Sequence, residues 1–213
     1  MRSESLILAF DTSAAHCAAA LLFGETLLSE HHETMERGQA ERLLPMLEAM
    51  LRSNGYDWSD LDALAVGTGP GNFTGIRIAV ATARGLALGL GIPAVGVSIF
   101  EARAEGLPRP VCIVEPARRG EVYLQFFSPE PSPPQIIASD TFHAPPEYAI
   151  AGSAVDLLAD KGLQNLGVRY NTAEAIARVA RRRLGETPSR PVPLYLRPAD
   201  AAPPSEPPPV LLP

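Results

Sequence analysis

The residues whose types and spacing could do chemistry are Gly67-Thr68-Gly69-Pro70-Gly71-Asn72-Phe73-Thr74-Gly75-Ile76-Arg77. Glycines supply backbone angles that side chains forbid and let another backbone or a ligand come close. A helical pattern follows, so the end of the run carries free N–H groups and the positive end of a helix dipole. Such an arrangement can cradle an anion, which makes Gly69 and Gly71 candidate phosphate contacts. Two established loops are excluded. No Lys-Ser/Thr pair follows the last glycine, and glycines at 67, 69, 71 and 75 miss the dinucleotide spacing. A second candidate is Asp11-Thr12-Ser13, which closes the first apolar run. In open α/β sheets, phosphates and magnesium-bound water sit at such strand ends. The competing use of Asp11 is a turn in which its carboxylate caps its own backbone, and the residues alone favour that turn.

Other chemistries find less support. His31 and His32 are adjacent, so in a strand they point to opposite faces, while His16 and His143 stand isolated. No His-x-x-x-His pair occurs, and no metal site is expected. Neither Cys17 nor Cys112 lies beside a candidate base, and Ser13 and Ser98 lack a nucleophile-elbow context. Arg178, Arg181, Arg182 and Arg183 could touch RNA phosphates. On a chain of net charge −6 without interleaved aromatics, a solvated helix face is the expected use.

The elements that must position these residues read as follows. Leu6–Phe10, Cys17–Phe23 and Thr26–Glu30 form an antiparallel meander. The run 39–53 has a helical apolar stripe at Leu43, Leu44, Leu47, Met50 and Leu51, with Pro45 either starting or kinking the helix. Residues 61–66, the glycine run, a helix over 76–90 and a strand over 93–97 make a βαβ unit with parallel strands. Ala81, Gly85 and Gly89 recur every four residues on that helix, a spacing that admits another helix closely. Further strands are expected at 111–114, 121–127, 135–138 and 148–151, and helices at 154–160 and 172–184, with Thr172 as a candidate N-cap. Six of the last eleven residues are proline, so 199–213 is expected to be a disordered tail. The lobes are placed at 1–100 and 101–198.

Length and composition set the frame. The chain has 213 residues, 46% of them hydrophobic and 20% charged, which suits a globular core. Two lone cysteines in apolar runs suggest reduced thiols. No signal peptide or membrane span is read from the N-terminus, and Arg77 and Arg84 interrupt the apolar run 76–92. A cytoplasmic protein is expected.

At this point the chain resembles a known family. LILAFDTS over 6–13, Leu43-Leu44-Pro45, GPGNFTGIRI over 69–78, Ile92-Pro93, RRGEVY over 118–123 and PLYLR over 193–197 occur in the order seen in the bacterial TsaB (YeaZ) family. The GPG-x-FTG-x-R run is the specific piece. The resemblance implies an α/β fold of the actin/hexokinase/Hsp70 (ASKHA) type, with two related lobes and a reduced second one.

It implies an accessory, non-catalytic subunit that pairs with a catalytic TsaD-like paralogue and a TsaE-like ATPase. The product would be threonylcarbamoyladenosine at position 37 of tRNAs reading codons that start with A, with tRNA met through the complex. The contact would use the helices at 39–51 and 76–90, with Leu44, Leu47, Leu51, Arg77, Ala81, Arg84, Gly85 and Leu88 together forming the partner interface. The same surface would support a homodimer when the partner is absent. No cofactor is expected on the chain alone, while ATP or ADP would enter with the partners.

Two departures from the family pattern stand out. Arg37-Gly38-Gln39 replaces a histidine-containing approach to the first helix. Pro116-Ala117-Arg118 replaces Asp-Ala-Arg, with Glu115 one place earlier. The alternative reading is an autonomous small-molecule kinase or ATPase of the same fold, using Asp11, Thr12, Gly69 and Gly71. The missing aspartate at 116 and the partial glycine pair Gly152-Ser153 stand against it. A metalloprotease is a third reading, without metal-ligand spacing to support it.

Overall fold

A computed structural model describes residues 4–185 and 190–197. Strands β1 (Leu6–Asp11), β2 (His16–Phe23) and β3 (Thr26–Thr34) form the antiparallel meander, with β3 running four residues past its expected end. Helix α1 (Gln39–Ser53) follows. Strand β4 (Ala63–Gly67), helix α2 (Phe73–Leu90) and strand β5 (Ala94–Val97) complete the βαβ unit, with β1, β4 and β5 parallel. The first sheet has the order β3-β2-β1-β4-β5.

Strands β1, β2, β4 and β5 are largely buried on both faces while the edge strand β3 is not, and side chains of the inner strands alternate between two cores. Leu6, Leu8 and Phe10 of β1, with Leu64 and Val66 of β4, meet Leu43, Leu47 and Leu51 of α1 and Ile76 and Val80 of α2. Ile7, Ala9, Ala63 and Ala65 point the other way. These side chains are short, so a helix can lie close against them.

That helix comes from the end of the chain. After α3 (Ile99–Ala104), the strands β6 (Val111–Pro116), β7 (Glu121–Phe127), β8 (Gln135–Ala138) and β9 (Ala149–Ala151) form a second sheet in the order β8-β7-β6-β9. The chain then returns as α4 (Thr172–Arg183), whose Ala175, Ile176, Ala177, Val179 and Ala180 pack on the short side chains of the first sheet. The segment 101–198 therefore divides, with its sheet in one lobe and α4 in the other. Helix α3 packs against α4, and its Ile99 and Phe100 reach the second core with Val111 and Ile113. This is the expected two-lobed fold of the actin/hexokinase/Hsp70 type, with a reduced second lobe.

Several expectations need correction. Helix α1 starts at Gln39 and continues through Pro45; Glu41 and Pro45 are exposed, so water can take the freed carbonyl. Gly38 precedes it at φ +91, a backbone angle that suits glycine. Helix α2 begins at Phe73, three residues earlier than expected, because the Asn72 side chain accepts from Gly75 N at 2.9 Å. The residue before α4 is Asn171, not Thr172, and Thr172 is the first helical residue. The helix expected at 154–160 forms as a 3-10 helix over 155–161. The proline-rich tail lies outside the described residues.

Candidate functional site

The glycine run and the end of β1 do meet, but they fill each other. Asp11 is buried, and its Oδ2 accepts from Ser13 N at 3.1 Å, Ser13 Oγ at 2.9 Å and His16 Nε2 at 2.8 Å. This is the self-capping turn, reinforced by a histidine. The Thr12 hydroxyl donates to the Gly75 carbonyl at 2.6 Å, and Asn72 N donates to the Ser13 carbonyl at 2.6 Å. A Cβ on Gly75 would stand 1.8 Å from the Thr12 carbonyl oxygen, and one on Gly71 would stand 2.3 Å from that of Ser13. The glycines thus give room to the chain's own backbone. Gly69 adopts φ +90, and a Cβ there would meet Ile76 Cδ1 at 2.5 Å. The phosphate cradle expected at Gly69 and Gly71, with Asp11 and Thr12, is corrected: strand-end carbonyls occupy the approach a phosphate would need.

The second partial match behaves in the same way. Glu115 and Ser153 come together, as Ser153 N donates to Glu115 Oε1 at 3.0 Å and Arg103 Nε donates to it at 3.3 Å. These bonds consume the buried carboxylate within the lobe. His16 is not isolated either; its ring lies 4.8 Å from that of His32. His32 is held below the usual imidazole range, first by burial and then by the neighbouring His16, His31 and Arg103 charges, with Glu30 opposing. Burial pushes the Cys17 thiol up to about 11 and the Cys112 thiol up to about 12, so neither is a nucleophile.

The arginines of α4 are engaged in ion pairs, and Arg182 remains half-exposed. Arg178 pairs with Glu174 at 2.7 Å, Arg181 with Glu25, Arg182 with Glu105 and Arg183 with Glu101. They tie α4 to the β2–β3 turn and to α3.

The exposed chemistry lies on α2. Arg77, Ala81, Arg84, Gly85 and Leu88 follow one another at helical spacing, and all face outward. Leu88 is 83% exposed, and Cβ atoms on Gly85 or Gly89 would meet nothing within 4 Å. The small residues are therefore not spent on packing inside the lobe. By length and mean hydropathy of 1.3 this helix matches a membrane span, yet its Ile76, Ala79, Val80 and Ala83 are buried in the core.

On α1, Leu44 is 44% exposed, whereas Leu47 and Leu51 are 0% and 1% exposed. The expectation that Leu47 and Leu51 face a partner is corrected, because both are enclosed between α1 and the sheet.

An element that residue patterns did not assign joins this surface. Residues 190–197 run as an extended strap beside α2. Arg84 Nε donates to the Pro191 carbonyl at 2.8 Å, and Arg77 Nε donates to Tyr195 Oη at 2.9 Å. The Phe73 and Tyr195 rings lie 5.1 Å apart, and the Arg77 guanidinium sits 3.7 Å over Phe73. Leu194 N donates to the Thr68 carbonyl at 2.8 Å, which pins the strap to the glycine run. The only signal for it was the PLYLR resemblance. Among the described residues, five of the seven exposed large apolar side chains lie on α1, α2 or the strap: Leu44, Phe73, Leu88, Val192 and Tyr195. These elements carry most of the exposed large apolar side chains among the described residues.

Comparison with known proteins agrees with the fold. The family model for TsaD, tRNA N6-adenosine threonylcarbamoyltransferase, matches residues 27–180. The tRNA threonylcarbamoyladenosine biosynthesis protein TsaB of Escherichia coli (strain K12) is 41% identical over 122 residues, covering 55% of this chain and 52% of that protein. The aligned stretch thus spans about half the length of the curated relatives named TsaB. An uncharacterized protein of Mycobacterium bovis is 34% identical over 205 residues, covering 93% of this chain and 95% of its own. The solved structure of YeaZ from Pseudomonas aeruginosa superposes with a TM-score of 0.74 at 28% identity, covering 90% of this chain and 100% of that one.

Proposed function

This chain belongs to the TsaB (YeaZ) family, and from that membership we propose that it serves tRNA threonylcarbamoyladenosine formation as a non-catalytic subunit. Its partner is a catalytic paralogue of the TsaD type, assisted by a TsaE-type ATPase. The modified base is adenosine 37 of tRNAs reading codons that start with A. The contact is made by α2 and the exposed side of α1, and two copies of the chain pair through the same face when the partner is absent. ATP or ADP belongs to the assembly.

The observation that supports this reading is the outward aim of Ala81, Gly85 and Leu88 on α2. Glycine inside a helix costs about 1 kcal/mol relative to alanine. Among the described residues, nothing in the chain's own packing requires it at 85 or 89. Close approach of a second helix supplies the requirement. A stable contact of this kind buries more than about 1,200 Å2 in total.

The test is sedimentation of the chain mixed with the catalytic paralogue. The wild type should form a complex, and Gly85→Leu should not. A Gly85→Leu chain that associates as tightly as the wild type would sink this interface.

A further inference from the structure

Beside the outward face of α2 lies a groove of about 420 Å3, between the end of that helix, the approach to β5 and the start of the strap. Leu88, Ile92, Pro93 and Pro191 form apolar walls, and Arg84 and Arg190 are the charged residues lining it. Among the described residues, neither arginine has a carboxylate partner, and Arg77 further along α2 has none. That contrasts with the paired arginines of α4. Helix α2 contains no Asp or Glu at all. On a chain of net charge −6, this is a local excess of positive charge around an apolar slot.

We propose that this groove seats a segment of the partner subunit that presents an apolar side chain flanked by carboxylates. The proposal rests on the reading that the α2 face binds a partner, and it names what that partner must offer. The apolar walls gain by excluding water from an inserted side chain. The carboxylates would pair with Arg84 and Arg190 at the margins. Such pairs contribute to partner choice and association rate more than to raw affinity. The same charge pattern matches a carboxylate-bearing partner better than a second copy, whose α2 offers arginine and no carboxylate, so self-association is left to the case in which the partner is absent.

The experiment is titration calorimetry of the full chain with the purified catalytic paralogue at low and high salt. The variants are Arg190→Glu and Arg190→Lys. Arg190 makes no hydrogen bond or ion pair among the described residues, so its replacement leaves the fold intact. Arg190→Glu should weaken binding about tenfold or more at low salt and flatten the salt dependence. Arg190→Lys should stay within about threefold of the wild type, because it keeps the charge.

If the wild type binds and Arg190→Glu binds equally tightly at both salts, the groove proposal is overturned while the α2 reading stands. If the wild type does not bind the paralogue at all, both fall. Loss of self-association alone, with paralogue binding intact, would assign the groove to a second copy. Loss of tRNA retention alone would assign it to RNA. Either result overturns the proposal.

Discussion

The Thr12 hydroxyl donates a 2.6 Å hydrogen bond to the carbonyl of Gly75, joining the end of β1 to the first turn of α2. The bond is buried, and the backbones approach so closely that only glycine fits at 75. A loop with the composition of an anion cradle is here a seam between two elements of one lobe.

The seam makes Gly75→Ala a severe substitution. Its Cβ would lie 1.8 Å from a backbone oxygen that cannot swing away. A loss of about 3 kcal/mol or more is expected in urea unfolding. Thr12→Val, which keeps the shape and removes the second donor to the Gly75 carbonyl, should cost about 0.5–1.5 kcal/mol. Unchanged midpoints for both would contradict the seam.

Leu51 and Leu88 separate core from surface. Leu51→Ala opens a cavity under α1 and should cost about 2–5 kcal/mol. Leu88→Ala removes a side chain that is 83% exposed and should shift stability by less than about 0.5 kcal/mol, while weakening complex formation. Thermal unfolding and sedimentation of the two variants check both halves. Equal effects on stability would contradict the assignment.

The thiols should be inert in the native chain. With Cys17 at about 11 and Cys112 at about 12, almost no thiolate exists near pH 8. Mass spectrometry after iodoacetamide should find both unmodified in buffer and both modified in urea. Rapid native alkylation of either would show that it is not buried as described.

His32 gives a pH signature of known sign. Its folded value lies below the ordinary 6.5, so below that pH the unfolded chain takes the proton first. Stability should therefore fall as the pH drops from 6.5 towards the folded value, and His32→Gln should remove that part of the slope. Imidazole NMR of the wild type should place the His32 midpoint below 6.5. A midpoint above it would contradict the close approach of His32 to His16.

The parallel unit and the meander were legible because their residues carry the information locally: apolar runs, Asn54-Gly55 and the glycine run. The short α3 was missed although Ser98 and Glu101 have capping-box spacing and do cap each other, with Ser98 N donating to Glu101 Oε2 at 2.8 Å. Helix α4 was legible as a helix, but its return to the first sheet was not, since alanines on one side do not say which sheet they meet. Glycine composition could not separate an anion cradle from a tight seam, because both need the same missing Cβ. The outward direction of Gly85 and the enclosure of Leu51 depend on tertiary packing. Helical spacing alone gave both the same standing.

The measurement that tests the central claim most directly is a count of threonylcarbamoyladenosine by mass spectrometry. Unmodified tRNA is incubated with the catalytic paralogue, the ATPase and threonylcarbamoyl-adenylate, in three reactions: without this chain, with it, and with Gly85→Leu. The account predicts product only with the wild-type chain and near-background product with Gly85→Leu. Equal product in all three reactions would contradict it.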